Sequence, residues 1–380
     1  MSSKPDLVIV GGGLAGGLAA LALADRKPDL ELRLIERQDS LGGNHVWSFF
    51  DSDIAPDHHP LLAPLIVQRW ESNAVRFPRR RRQLDARYQS ITSDRFHAHL
   101  RDRLGENIVH ADVVALRPDG ITFADGTDLP ARAVLDARGI SEAPEGLDCG
   151  WQKFVGQMIE VKGGHGLAQP IIMDATVDQS DGYRFVYLLP FDEERIFVED
   201  TYYQEGAALD RRLLSQRIGA FVASQGWENH RVLHEEKGVL PVVIGGEFDE
   251  FWPAEDVVAR AGVAGGFFHP LTSYSLPDAV RFAFWLADAM PMDGRTLAAA
   301  TRSQGEREWR DGRFYRLLGK MLFRAADPAD RYKIFQRFYG LPDGLIERFY
   351  AGKSTLADKV RILAGKPPVP ILRAVRALME

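Results

Sequence analysis

The chain is expected to be an α/β protein in which a parallel sheet is interrupted by an inserted, mostly antiparallel sheet and followed by a helical C-terminal region. Three observations predict this. A strand, a Gly-rich turn, a helix and a second strand fill the first 40 residues. Long alternating strands take over after residue 150, and a strand, glycine turn and apolar helix return after residue 250.

The first unit is the most explicit. DLVIV, Asp6 to Val10, is an apolar run suited to a buried strand; GGGLAGG turns into the Ala/Leu-rich LAALALADR; ELRLIER, Glu31 to Arg37, is the second strand. Gly11, Gly13 and Gly16 stand at G-x-G-x-x-G spacing directly after the strand, and Glu36 ends the next strand 20 residues after Gly16. This is the layout of a Rossmann-like dinucleotide domain. The glycines let the backbone approach a pyrophosphate at the helix N-terminus, where Leu14 and Ala15 form the first turn, and Glu36, followed by Arg37, accepts hydrogen bonds from a ribose. A tight Gly-rich turn in an unliganded α/β protein is the competing reading. RQDSLGGNHVWS follows, with Gly42, Gly43 and His45, and resembles the loop after the ribose-binding acid in FAD-binding flavoproteins, favouring FAD over NAD. ITFADGTDLPARAVLDARG reads as a hairpin and then a strand, Ala133 to Ala137, ending at Arg138 and Gly139; resemblance to flavoproteins of this architecture implies that the strand-end glycine closes on the adenosine side, the alternative for Arg138 being a surface salt-bridge residue at a strand terminus. These segments make a first FAD-binding part over 1–150, with 44–90 contributing to the substrate side.

Over 151–250, FVGQMIEVKG, GYRFVYLLP, RIFVEDTYY and EEKGVLPVV imply an antiparallel substrate-binding sheet. GYRFVYLLP and RIFVEDTYY form a hairpin across a Pro-Phe-Asp-Glu-Glu turn. The side-chain period of two sends Phe197, Glu199, Thr201 and Tyr203 to one face and Asp200 to the other, so one acid must face whatever the strand covers, unless both lie on a solvated rim. The segment 251–300 returns to the FAD-binding part, with Gly266, Phe268, His269 and Pro270 in a flavin-side turn.

The region 301–380 reads as helical and basic: 17 Lys/Arg against 9 Asp/Glu give it +8 of a net −6, leaving −14 for the first 300 residues. Within it Arg313, Arg316, Lys320 and Arg324 recur at helical spacing, while Phe314, Leu317, Leu318, Met321 and Leu322 fall largely on the other side. Such a helix either lies on anionic lipid or packs its apolar stripe on the body. An acidic overall balance without a binding motif argues against nucleic acid. The single Cys149 excludes an internal disulfide framework, no Cys/His cluster suggests a metal, and no apolar run is long enough to span a bilayer. MSSKPDLVIV lacks a signal-peptide layout, so a reducing cytoplasm is the expected compartment.

Several stretches are similar to those of bacterial flavoprotein-type lycopene β-cyclases: HVWS at His45, VLDARG at Val134, WQKFVGQMIE at Trp151, MDATVDQSDGYRFVYLLP at Met173, VEDT at Val198, KGVLP at Lys237, FHPLTSYSLP at Phe268 and RFYGLPDGLIERFYAG at Arg337. The resemblance covers nearly the whole chain. It implies closure of the linear ends of lycopene and related carotenes into β-ionone rings through a monocyclic intermediate, with reduced FAD, NADPH as electron donor, no net redox change and peripheral contact with the inner face of the cell membrane. Within VEDT the first acid is the one associated with catalysis, which places the role on Glu199. Asp200 stays beside it as a catalytic candidate, its opposite face suiting a hydrogen-bonding partner for backbone or Arg. His45 and His269 are candidates to contact the flavin or carry a proton, or are satisfied loop histidines. Ser273 departs from the family pattern, which more often has glycine; a turn needing positive φ would strain it. Two other classes share parts of this pattern: a redox flavoenzyme acting on prenyl lipids, and a non-catalytic flavin-binding protein.

Overall fold

The computed structural model describes residues 4–140, 144–179, 182–365 and 373. Ser180 and Asp181, within one family-like stretch, and most of the basic region beyond 365 lie outside the described residues. Leu7–Val10 has all four side chains buried, as an apolar run in the middle of a parallel sheet must. It pairs in parallel with Leu32–Glu36 and Ala133–Asp136, and Ile108–His110 and Ala259–Arg260 complete a five-stranded sheet. The chain therefore leaves this sheet after Asp136 and returns to its edge at Ala259. Helix Leu14–Arg26, rich in Ala and Leu, packs against Leu276–Ala289 over a core shared with the sheet.

Five strands from between these visits and two from before Asp136 form a seven-stranded sheet in the order His230–Gly246, Leu147–Val161, Arg195–Gln204, Tyr183–Pro190, Ile171–Asp174, Asn73–Phe77 and Arg80–Leu84. Its pairs are antiparallel except Ile171–Asp174 with Asn73–Phe77. Residues 44–90 thus supply its far edge, and also a small antiparallel sheet of Val46–Phe50, Tyr88–Thr92 and Ile66–Trp70.

One face of the large sheet is covered by helix Arg211–Ser224 through Val186, Leu188, Val198 and Tyr202. The other carries Tyr183, Phe185, Phe197 and Tyr203 against aromatics of the C-terminal helices, including Tyr339 and Phe349. Arg331, 1% exposed, fastens the two layers: its guanidinium donates to the carbonyls of Leu322, Phe323 and Tyr203. The predicted basic helix is an α-helix over Arg313–Lys320 followed by a π-helical turn over Met321–Ala325.

Candidate active site

The first turn of the dinucleotide unit has the strain pattern of a phosphate cradle. Gly11 takes φ +111°, and a Cβ on Gly16 would lie 2.0 Å from the Gly11 carbonyl oxygen, so only glycine lets strand and helix meet here. Gly13, by contrast, faces open space, with nothing within 4 Å of a would-be Cβ. Helix Leu14–Arg26 begins there without a capping side chain or an acid in its first turn, leaving its N-terminus to an anion. The Glu36 carboxylate accepts from the Gly12 N–H at 2.7 Å and the Gln38 N–H at 2.9 Å, which fixes it at the end of its strand. An open glycine, an uncapped helix start and a fixed acid fit the pyrophosphate and ribose of FAD.

A cleft of about 390 Å³ runs from Gly13, Leu14 and Ala15 past Gly43, His45, Arg138 and Gly139 to Glu199 in the large sheet. Arg138 is clamped to Asp136 by bonds of 2.9 and 2.8 Å, and Gly139 holds φ +77°. Arg37 is exposed and outside the cleft. Gly266, Pro270 and His269 also lie outside it, around a separate cavity of about 60 Å³. The expected role of His269 in the chemistry is corrected accordingly. Its Nδ1 accepts the N–H groups of Leu271 and Thr272 and its Nε2 donates to the Phe349 carbonyl, while burial pushes its pKa down to about 3. It is a neutral staple of the turn, not a proton carrier. In that turn Ser273 takes φ +57°, the left-handed conformation expected from the missing glycine; its N–H donates to the His269 carbonyl and its hydroxyl to the Pro241 carbonyl at 2.8 Å. Gly262 and Val263 reach the cleft where Gly266 was expected to.

The two acids of the hairpin are both buried, against the solvated-rim alternative, and they face opposite ways. Asp200, 0% exposed, lies on the face covered by helix Arg211–Ser224 and is held by the Arg184 guanidinium through bonds of 2.9 and 2.8 Å. Burial pushes its carboxyl up and the Arg184 fork opposes this. It takes no part in the cleft. Glu199, 7% exposed, faces the cleft beside Tyr187, its neighbour across the hairpin. Its Oε1 accepts from the Thr201 hydroxyl at 2.6 Å. Burial raises its pKa to about 7, with the neighbouring Asp200 charge adding to the shift and hydrogen bonds from Thr201 and Glu236 opposing it.

Sequence reasoning missed Glu236. It is 2% exposed, lines the same cleft, lies with Glu199 on either side of Gly156 and accepts the Val46 N–H at 2.7 Å. Burial and the Glu199 charge push its pKa well up. His45 Nδ1 lies 3.8 Å from it, and burial keeps that imidazole below its usual range. The available signal was parity: Glu236 shares a strand face with Gly238 and Leu240 in the alternating strand EEKGVLPVV. Tyr274 bridges Tyr88 and Tyr187 by hydroxyl contacts of 3.2 and 3.4 Å, and all three line the cleft. Tyr183 and Phe185 instead stack in the core, and Phe268 lines the smaller cavity.

A parallel nucleotide sheet interrupted by a large antiparallel one, with a cleft joining them, defines an FAD-dependent monooxygenase and reductase type of fold. Solved structures agree at 14% identity: a geranylgeranyl bacteriochlorophyll reductase-like protein from Thermoplasma acidophilum, with TM-score 0.62 over 99% of each chain, and the flavin-dependent brominase Bmp2, with TM-score 0.63 over 92% of this chain and 94% of that one. Sequence narrows the class. The chain belongs to the lycopene cyclase protein family, whose model matches residues 6–376. It is 44% identical to a lycopene beta-cyclase from Pseudescherichia vulneris over 99% of this chain and 97% of that one, and 44% identical to one from Pantoea ananas over 100% and 99%. A Paracoccus lycopene beta-cyclase is 42% identical over 99% and 97%.

Proposed function

We propose that this chain cyclises the linear ends of lycopene to β-ionone rings, forming the monocyclic and then the bicyclic carotene without net redox change. The observation that carries the reading is Glu199, a carboxyl that burial biases toward its neutral form in a cleft continuous with the dinucleotide loop. An alkene is a very weak base, so its proton donor must be a neutral acid in a dry site. Glu199 donates to the terminal double bond, the neighbouring double bond closes on the cation, and loss of a ring proton sets the alkene. Thr201 holds the Glu199 carboxyl in place. The aromatic faces of Tyr187, Tyr88 and Phe197 along the cleft favour a cation by roughly 0.5–2 kcal/mol each.

FAD would be held by Gly11, Gly13, Gly16, Leu14, Ala15 and Glu36, with Gly43, His45, Arg138 and Gly139 along its path; in reduced form, with NADPH as electron donor, it supplies negative charge near the cation. Anaerobic incubation with lycopene, FAD and a reductant, followed by pigment chromatography, tests the reading. Ring formation without stoichiometric NADPH consumption is expected; consumption in proportion to product would instead mark a reductase or hydroxylase of prenyl lipids.

A lipid-soluble substrate also supports peripheral attachment to the inner face of the membrane. No helix among the described residues is long and apolar enough to cross it. The expected contact through Arg313 to Arg324 needs revision, because helical spacing shows which residues share a face and not what covers it. Arg316 is buried, its guanidinium 3.6 Å over the Trp309 ring and bonded to the Trp309 carbonyl, and burial pushes its pKa down to about 10. A better surface is helix Leu356–Leu363, where Leu356, Val360 and Leu363 are 80%, 60% and 46% exposed at one-face spacing. Lys359 of that helix lies over Phe314 and shares a groove with Arg313 and Lys320, so an apolar stripe sits beside basic groups, as anionic lipid requires.

A further inference from the structure

We propose that Glu236 is the base that completes the ring, working with Glu199 as a pair of carboxyls that holds a single proton. This rests on the reading of Glu199 as the proton donor and extends it to the second proton transfer.

The pair is built by strand register. Gly156 of the central strand Leu147–Val161 lies opposite Glu199 on one neighbour and opposite Glu236 on the other, so both acids leave the same face of the sheet on either side of a residue that has no side chain of its own. Nothing larger fits at that position, since a Cβ there would stand 2.2 Å from the Phe197 ring. The two carboxyls face the same cleft across this gap, where the charge of Glu199 pushes Glu236 further toward its protonated form. One oxygen of each is fixed by a neutral donor, the Thr201 hydroxyl on Glu199 and the Val46 N–H on Glu236. No lysine or arginine among the described residues bonds either acid. The titratable groups facing the pair are His45, Tyr88, Tyr187 and Tyr274, with Arg138 farther along the cleft; Asp200, Glu235 and Lys237 belong to the opposite face. Two like charges in a dry cleft repel, so the singly protonated pair is the stable form, and it contains one acid and one base.

This composition matches the reaction. Glu199 gives its proton to the terminal alkene carbon and becomes a carboxylate. The carbon–carbon bond then closes the ring, moving the positive charge onto the ring, where two carboxylates now face it. Glu236 takes the proton from the adjacent ring carbon, whose C–H electrons become the ring alkene. One proton has left the pair and one has entered it, so the pair is reset by transfer from Glu236 to Glu199, without an oxidant, a reductant or a proton from solvent.

The test compares Glu236→Ala, Glu236→Gln and Glu199→Gln, each checked for flavin content and fold, with lycopene as substrate and formate as the probe for a missing carboxylate. Loss of the base should slow Glu236→Ala by at least about 100-fold, displace the ring alkene in the residual product toward isomeric rings, and remove the acidic limb of the pH profile. Formate should restore both rate and β-ring geometry. Glu236→Gln keeps an acceptor for Val46 and reads the same loss if the alanine variant folds poorly. A Glu236 that only supports structure predicts unchanged β-rings, unchanged pH limbs and no response to formate, and that result overturns the inference, as does a wild-type rate in either variant. Glu199→Gln separates the two readings: a wild-type rate there removes the donor assignment itself, whereas an inactive Glu199→Gln beside β-ring formation at full rate in Glu236→Ala removes only the base.

Discussion

Glu199→Gln should raise stability at alkaline pH while destroying activity, a combination that few core substitutions produce. Gln keeps the shape of the side chain, can still accept from Thr201 and can donate to Glu236, but it carries no ionisable proton. The fold lifts the Glu199 pKa from 4.5 to about 7, which corresponds to roughly 3 kcal/mol of preference for the neutral form. Because the folded value is raised above the unfolded one, this contribution is complete below pH 4.5 and is lost as pH rises through about 7. Between pH 5.5 and 8.5 the wild type should therefore lose stability that the Gln variant keeps, a difference narrowed by Glu236, whose own titration shifts once the Glu199 charge is gone. Urea denaturation of both proteins at these two pH values measures the difference, with cyclisation and flavin content followed on the same samples. Activity should fall by about 10²- to 10⁴-fold with flavin retained. A stability difference that is flat with pH would refute the buried neutral acid, and wild-type cyclisation would refute its role; loss of FAD would show that the side chain does other work.

The remaining expectations use the same geometry. Gly13→Val should lose FAD with the fold kept, measured by flavin absorbance and circular dichroism, because its Cβ meets no protein atom; Gly16→Val should instead destabilise the protein, its Cβ striking the Gly11 carbonyl. Ser273→Gly should be more stable than Ser273→Ala by about 1 kcal/mol in thermal or urea melts, since both lose the bond to Pro241 but only glycine relieves the positive φ. Asp200→Asn leaves the Arg184 guanidinium buried without its counter-charge and should cost roughly 3–5 kcal/mol of stability, with only secondary loss of rate. Replacing Leu356 and Val360 by Ser should reduce co-sedimentation with anionic vesicles without changing the melting temperature; unchanged binding would place the lipid contact elsewhere.

What was legible in the sequence was local. The parity of RIFVEDTYY separated Glu199 from Asp200, and glycine spacing with Glu36 located the dinucleotide turn, because both depend on backbone periods that no tertiary context changes. The strain at Ser273 was legible through the family pattern, since a glycine preference in a tight turn reports a φ value. The pairing of Glu199 with Glu236 was not, because it requires that two strands far apart in sequence both register on Gly156. His269 and Arg316 were misplaced for a related reason. A histidine in a glycine- and proline-rich turn and an arginine on a helix face each look available for chemistry or lipid until the neighbouring backbone and Trp309 close over them.

The adjacent acids of this strand show how one sheet sorts identical chemistry into different work. Burying an isolated carboxylate costs several kcal/mol, so each acid must be neutralised by what its own face supplies. On the helix-covered face Arg184 reaches Asp200 with a two-pronged fork, and the charge is cancelled by an opposite charge that cannot be given away. On the cleft face only neutral donors and a second carboxyl are at hand, so Glu199 is cancelled by a proton, which can be. Exchanging the partners should therefore exchange the roles: an arginine delivered to the cleft face would stabilise Glu199 as a carboxylate, bring its pKa down and end its use as a donor, even with every atom of Glu199 left in place.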